Sequence, residues 1–322
     1  MRSRVSIAAA LWALAAAFAV QAQSWPTQSV KIVVPFSPGT GMDILARTVG
    51  PKLAEMWGQP VVVDNRPGAS GNLGANLVAK SAPDGYTLVM GASTLVINKT
   101  LYTNMPYDPI TDLEPIGLAA NASLLLVAHP RLGITTAKDL IAQARERPGV
   151  LVYGSPGIAT PHHMAMELFK DLTGTDLLHI PYKGSAGAVT DLVSGQINLM
   201  FLPIHQVLPY RQAGRLKLLA AGGARRHPSA PELPTLVELG IRGAEAADIW
   251  YAFYAPKGVP APVIAKLNAE LRSILALAEV RAAVENVGVD VQTSTPDELL
   301  ALMKRDYARW GEIVRKNHIT AQ

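Results

Sequence analysis

Twice in this chain a short apolar run breaks into Ser-Pro-Gly and then into a helix-forming segment, and this repeated junction limits the possible folds more than any other feature. Residues 30–35, rich in β-branched side chains, read as a buried strand. Pro35-Phe36-Ser37-Pro38-Gly39-Thr40-Gly41 follows, and Ile44, Leu45, Val49, Leu53 and Met56 then recur at helical spacing until Gly58. A second strand at 150–153 runs into Gly154-Ser155-Pro156-Gly157-Ile158-Ala159-Thr160, with a helix opening at Pro161. Strand, glycine loop and helix start are the βα half of a βαβ unit. Two copies about a domain's length apart imply two α/β units of similar size.

The rest of the chain fits that reading. Strands are expected at 61–65 and 87–91 with a helix at 71–81 between them, which completes a βαβαβ set. Residues 98–116 read as irregular, and strand-like runs return at 116–120 and 124–129. Thr136 and Asp139 have capping-box spacing and open a helix to Arg147. The second set has strands at 150–153, 177–181, 197–201 and 216–221, with helices at 161–173, 185–193 and 205–213. Residues 249–256, rich in Trp and Tyr, read as a strand returning to the first unit. Two helical stripes close the chain: Val263, Ile264, Leu267, Leu271, Ile274 and Leu275, then Leu299, Met303, Tyr307, Trp310 and Val314 behind a Thr295-Pro296-x-Glu298 start. The expected fold is α/β: two doubly wound lobes with a cleft and two crossover segments. Lobe 1 takes residues 23–125 and 247–322, and lobe 2 takes 126–246.

The N-terminus sets the compartment. Arg2 and Arg4, an apolar run over 7–20 and Val20-Gln21-Ala22 are the three parts of a secretory signal peptide, here residues 1–22, which places the mature chain in the periplasm. The run is short for a membrane span, which takes about 20 residues. The chain has no Cys, so neither disulfides nor thiolate chemistry enter. A formal charge of +4 with 17% charged residues, both signs interspersed, offers no nucleic-acid patch. The densest basic spot, Arg225-Arg226-His227, reads as a solvated loop.

In sheets of this kind ligands bind outside the carboxyl ends of the strands, where both Ser-Pro-Gly loops fall. Glycine lets backbone N–H groups approach a ligand, and a helix N-terminus adds unpaired donors and a positive dipole end. Either loop alone reads as a tight turn; the matched pair reads as two anion half-sites. Gly39-Thr40-Gly41 lacks the third glycine of a dinucleotide fingerprint, and no Gly-Lys-Ser/Thr follows either loop. A nucleophile elbow would need glycine where Asn72 and Tyr153 stand. Asp43 suits the first turn of its helix and orients the loop. His162 and His163 are adjacent and face different ways, and His163 with Glu167 supplies too few ligands for a metal. His163 is left with a helix-start or pocket-wall role. Thr94 has two open roles, in the cleft or in a local turn bond. Asp248 likewise meets a ligand or merely opens its strand. Tyr182, Asp191, Trp250 and Phe253 read as packing or surface residues, and Arg66 as a pin for its own loop.

With these residues in view, the chain resembles the Bug-type receptors of tripartite tricarboxylate transporters. The resemblance rests on residues 35–43 (PFSPGTGMD), 59–74 (QPVVVDNRPGASGNLG), 83–88 (PDGYTL), 153–160 with His163 and 167–169, 179–185 (HIPYKGS), 190–195 and 231–235, in order across the mature chain. It implies a type II periplasmic-binding fold, no catalysis, no cofactor or metal, a small carboxylate ligand and membrane transporter subunits as partners. Carried over, the ligand contacts are Phe36, Ser37, Gly39, Thr40, Gly41, Ser155, Gly157 and Thr160. Thr94, His163 and Asp248 complete the candidate set. Thr40 and Met42, and Leu202-Pro203 where the family often has Asp, depart from the pattern beside the cleft. A monomer without nucleic-acid contacts is expected. Two alternatives stay open: a sensing partner of a signalling system, and an exported enzyme acting on a small acid.

Overall fold

The computed structural model describes residues 25–320 except 103 and 287. The expected signal peptide lies outside the described residues. The first set of elements is β1 (Val30–Val34), α1 (Gly41–Trp57), β2 (Val61–Asn65), α2 (Asn72–Ala79), β3 (Thr87–Ala92) and α3 (Thr94–Leu101). A long strand β4 (Leu113–Ala128) leads to α4 (Ala137–Glu146), β5 (Val152–Ser155), α5 (Pro161–Thr173), β6 (Leu178–Pro181), α6 (Ser185–Ser194), β7 (Leu199–Pro203), α7 (Ile204–Gln212) and β8 (Lys217–Ala221). The chain returns through β9 (Asp248–Pro256) and ends with α8 (Ala261–Ala276), α9 (Ala278–Glu285), β10 (Asp290–Val291) and α10 (Pro296–Lys316).

The strand order β2-β1-β3-β9-β4-β7-β5-β6 is a palindrome of two equivalent halves. In each half a strand that ends in a Ser-Pro-Gly loop, β1 or β5, is flanked by two parallel neighbours. The next strand, β9 or β4, then runs antiparallel. The two long strands β4 and β9 pair along their whole shared length, from Leu113 opposite Pro256 to Ser123 opposite Asp248. Beyond that point β4 continues alone into the second sheet, between β7 and β8.

The inner strands β1, β3 and β7 are almost wholly apolar because helices cover both faces. Ile32 and Val34 of β1 pack with Leu45, Val49 and Leu53 of α1 and Leu267 and Leu271 of α8. Val33 points the other way, into the cluster of Val78, Ile97, Met303 and Trp310. The capping boxes at Thr136 and Thr295 are formed, and Pro296 occupies the first helical position.

Several expectations need correction. The two runs at 116–120 and 124–129 are one strand, because Asn121, Ala122 and Ser123 keep pairing with Trp250, Ile249 and Asp248. The irregular segment begins later than residue 98, since α3 extends to Leu101. Tyr307 is exposed, while Asp306 beside it is buried. His227 is buried too, with its Nε2 3.4 Å from the Gly288 carbonyl, so only the two arginines of that basic spot are solvated.

Candidate functional site

A narrow cavity of about 80 Å³ lies where the two sheets face each other. The first half contributes Phe36, Thr40, Gly41, Met42, Ala92 and Thr94, and the second contributes Pro156, Thr160, Pro161, His162, Ser185, Pro203, His205 and Gln206. Ile249 and Tyr251 of β9 close the wall between them. The helix starts at this wall are those of α1, α3, α5, α6 and α7, each of which places its cap or first-turn residues on the cavity. Among these starts only α5 has a side-chain cap, from Thr160; those of α1, α3, α6 and α7 have none. Uncapped first-turn N–H groups and the positive ends of the dipoles therefore surround the space. No Lys, Arg, Asp or Glu stands among the described residues of the wall.

Both loops are built to one plan. Gly39 (φ +82°) and Ala159 (φ +63°) take left-handed backbone immediately before the N-caps Thr40 and Thr160. Glycine adopts that conformation freely, whereas Ala159 is strained there. Each loop is tied to the third residue of its helix. Gly39 N–H donates to Asp43 Oδ2 at 2.9 Å, and Ala159 N–H donates to His163 Nδ1 at 3.3 Å. Asp43 also accepts from Asn65 Nδ2 and Arg47 Nε, each at 2.9 Å, and Asn65 Nδ2 reaches the Phe36 carbonyl at 3.0 Å. Burial opposes the Asp43 charge, but the Gly39, Asn65 and Arg47 bonds outweigh it and hold its pKa below the ordinary value.

The second loop rests on a stack of rings. Tyr153, His179 and His163 lie face to face, with centroids 4.7 Å and 4.0 Å apart. Tyr153 Oη donates to Glu167 Oε1 at 2.5 Å, and Lys170 Nζ donates to the same oxygen at 2.8 Å. Burial, with Lys170 nearby, lowers the His163 pKa to about 4. Burial and His163 lower that of His179 to about 3. Both rings are neutral at pH 7.

Ser155 Oγ lies 2.7 Å from His179 Nε2. That is nucleophile–base spacing, but Ser155 is fully buried and its hydroxyl also bonds the Gly157 carbonyl at 2.9 Å. Thr160 Oγ1 donates to the same carbonyl at 2.8 Å. The Ser155–His179 pair therefore braces the loop and is not on the cavity wall.

Of the residues named from sequence, Phe36, Thr40, Gly41, Thr94 and Thr160 meet at the cavity. Ser37 and Gly39 are exposed on the outer side of the first loop, and the Gly39 amide is taken by Asp43. Ser155 and Gly157 belong to the second loop but are not on the cavity wall, and His163 is turned into the ring stack. Asp248 is not at this site. Successive side chains of β9 alternate, so Ile249 and Tyr251 face the cavity while Asp248 and Trp250 face a separate space of about 730 Å³ with Arg305, Asp306 and Arg309 of α10. Sequence reasoning missed Met42, Ser185, His205, Gln206 and Tyr251, and gave His162 a helix-start or pocket-wall role without placing it in the candidate set. Helix-start position is the signal that could have found Ser185, His205 and Gln206.

Residues 45–319 match the model of the tripartite tricarboxylate transporter family receptor. The chain is 35% identical to Protein BugT of Bordetella pertussis over 299 residues, 92% of this chain and 91% of that one. Among solved structures it is similar to R. palustris Rpa4515 with adipate, with a TM-score of 0.84 and 35% identity over 92% of this chain and 99% of that one. It is also similar to MatC from Rhodopseudomonas palustris with bound malate, with a TM-score of 0.80 and 29% identity over 90% of this chain and all (100%) of that one.

Proposed function

This chain belongs to the tripartite tricarboxylate transporter receptor family, and from that membership we propose that it is a periplasmic receptor that captures a small carboxylate and presents it to the membrane subunits of a transporter. The observation that carries this reading is the ring of five helix starts around a cavity whose wall has no fixed charge. Each start offers roughly half a positive charge, and the four without a side-chain cap add unpaired N–H donors, which suit a carboxylate's acceptor-only oxygens. Such a site binds an anion without burying a cation that would be left unpaired when the ligand leaves.

In this reading Thr40, Gly41, Thr94 and Thr160 contact the ligand, and Phe36 and Tyr251 wall it in. Ser37, Gly39, Ser155, Gly157 and His163 hold the two loops in place. Residues 1–22 direct export and are removed. The binding lobes are 23–125 with 247–322, and 126–246, and they close on the ligand as a shift between open and closed states. The protein is a receptor and not an enzyme, a reading supported by the burial of the Ser155–His179 pair away from the cavity. The adipate and malate bound to its structural relatives support small dicarboxylates as the first ligands to try.

A thermal-shift series on residues 23–322 tests this. Adipate, malate and other small acids are compared with their amides. A Tm that rises with one acid and not with its amide is the expected result, because a ligand that binds only the folded state stabilises it by mass action. No shift with any acid, and no acid released from the denatured protein, would remove the reading.

A further inference from the structure

Besides Tyr251, the ionisable groups on the cavity wall are two imidazoles, His162 at the second position of α5 and His205 at the second position of α7. Both ring nitrogens of His162 are buried and lack a hydrogen-bond partner among the described residues. A neutral imidazole carries a donor on one nitrogen and a lone pair on the other, so both polar ends of this ring are unserved. The next residue shows the contrast. His163 Nδ1 accepts from Ala159, and its ring is stacked on His179. Adjacent helical residues point in different directions, which puts His163 into the ring stack with Glu167 and Lys170 and leaves His162 to the cavity.

Other charge near His162 is scarce. His205 reaches it from α7 and Tyr251 lines the same space from β9, while α1, α3 and α6 bring no Lys, Arg, Asp or Glu to the wall. Burial, and then the His205 ring, lowers the His162 pKa to about 4, so the ring is neutral at pH 7. A carboxylate beside it supplies what is missing: an acceptor, and a negative charge that favours the protonated ring.

We propose that His162 and His205 are the charge-reading element of the cavity, and that the pair takes up one proton from solvent as a ligand carboxylate arrives, holding it as an imidazolium–carboxylate pair. This rests on the receptor reading above. The proton comes from water and returns to it on release, and no bond of the ligand changes. One proton is taken up and not two, because two neighbouring imidazoliums repel each other. The site then favours acids with two carboxylates: one meets the helix starts and the other meets the imidazolium. A monocarboxylate held at the helix starts leaves the pair neutral.

Calorimetric titration of residues 23–322 with adipate and with malate tests this between pH 6.5 and 8, where both acids are fully ionised. Each titration is repeated in two buffers of different ionisation heat. The expected result is uptake of up to one proton per ligand and a Kd roughly fivefold tighter at pH 6.5 than at pH 8, the change set by a bound-state pKa near neutrality. His162→Gln and His205→Gln should each abolish the uptake and flatten the pH dependence. Their melting temperatures report whether each variant folds. If His162→Gln does not fold, the buffer comparison on the unaltered chain and His205→Gln decide the matter. Tight binding with equal heats in both buffers and no pH dependence would overturn the role of the pair while leaving the receptor intact. Binding by neither these acids nor any other in the thermal series would remove the receptor reading, and the proposal with it.

Discussion

Asp43 and His163 occupy the same place in the two halves of the molecule: each is the third residue of its helix, and each accepts the N–H of the left-handed residue four positions earlier. A carboxylate and an imidazole thus fix two otherwise similar loops. Asp43 is the more heavily bonded, through Gly39, Asn65 and Arg47. Asp43→Ala leaves the Gly39 amide without its acceptor and Asn65 Nδ2 with the Phe36 carbonyl alone, so stability should fall by about 1–2 kcal/mol. Affinity for the ligand should fall too, although Asp43 is not on the cavity wall. Urea unfolding and a ligand titration on the same variant check both. A stability loss with unchanged affinity would show that the loop keeps its shape without this tie.

The stack of Tyr153, His179 and His163 makes the second half acid-sensitive. Both imidazoles have folded-state pKa values depressed below their ordinary 6.5, to about 3 and about 4, chiefly by burial. Groups depressed in the folded state bind fewer protons there than in the unfolded chain, so their contribution is intact above pH 6.5 and is lost as pH falls through that value toward 4. For His163, which is buried, the loss is on the order of 3 kcal/mol at the acid end. In an Asp248→Asn background, which removes the opposing titration of that carboxyl, Tm measured from pH 8 to pH 4.5 should therefore hold steady and then drop below pH 6.5. His163→Gln should start lower and drop less steeply. A profile equally steep in that variant would place the acid sensitivity elsewhere.

How much of this was legible in the sequence depends on what fixes each feature. The βα loops were legible because glycine, proline and helix-cap residues mark them locally. The equivalence of Thr40 and Thr160 was not legible: the Ser-Pro-Gly repeat aligns Thr40 with Ile158, and the second loop takes two more residues to reach its N-cap. Asp248 was misplaced because facing is set by the phase of β9, and Ile249-Trp250-Tyr251 is apolar on both sides, so no alternation reveals it. The choice between His162 and His163 likewise turns on helix phase against a neighbour that only the fold supplies. Ser155 and His179 come together because β5 and β6 pair with Tyr153 opposite His179, a register that nothing local announces. The single long strand β4 was hidden by Asn121 and Ser123, polar residues that stay in the ladder because β9 runs beside them.

Asp248 offers a second pH signature, of opposite sign. Enclosure in the α10-side cavity and the nearby Asp306 carboxylate raise its pKa to about 7. A carboxyl raised in the folded state contributes stability that is complete below its unfolded value near 4 and is lost as pH climbs through 7. Asp248→Asn mimics the protonated form. Its advantage over the unaltered chain should be larger at pH 8 than at pH 5.5 by about 1–2 kcal/mol, a difference of several degrees in Tm. Calorimetry at the two pH values decides it. Since Asp248 does not face the ligand cavity, the affinity of Asp248→Asn for its acid should be unchanged.

Gly41 tests how tightly the cavity wall is drawn. A Cβ built there would lie 2.6 Å from the Tyr251 hydroxyl and 2.8 Å from its Cζ, far inside ordinary contact, while Tyr251 is itself buried in the core. No side chain fits unless the ring or the loop moves, so Gly41→Ala should cost about 1–3 kcal/mol of stability by overpacking. The same shift would disturb the first turn of α1, whose amides line the cavity, and ligand affinity should fall with it. Tyr251→Leu removes the atoms that Cβ meets. If the contact is the cause, the double variant Gly41→Ala/Tyr251→Leu should lose less than the two single losses combined, a coupling of about 0.5–3 kcal/mol for residues in contact. Strict additivity would mean that Gly41 is required for its backbone alone, and that Tyr251 does not set the width of the site.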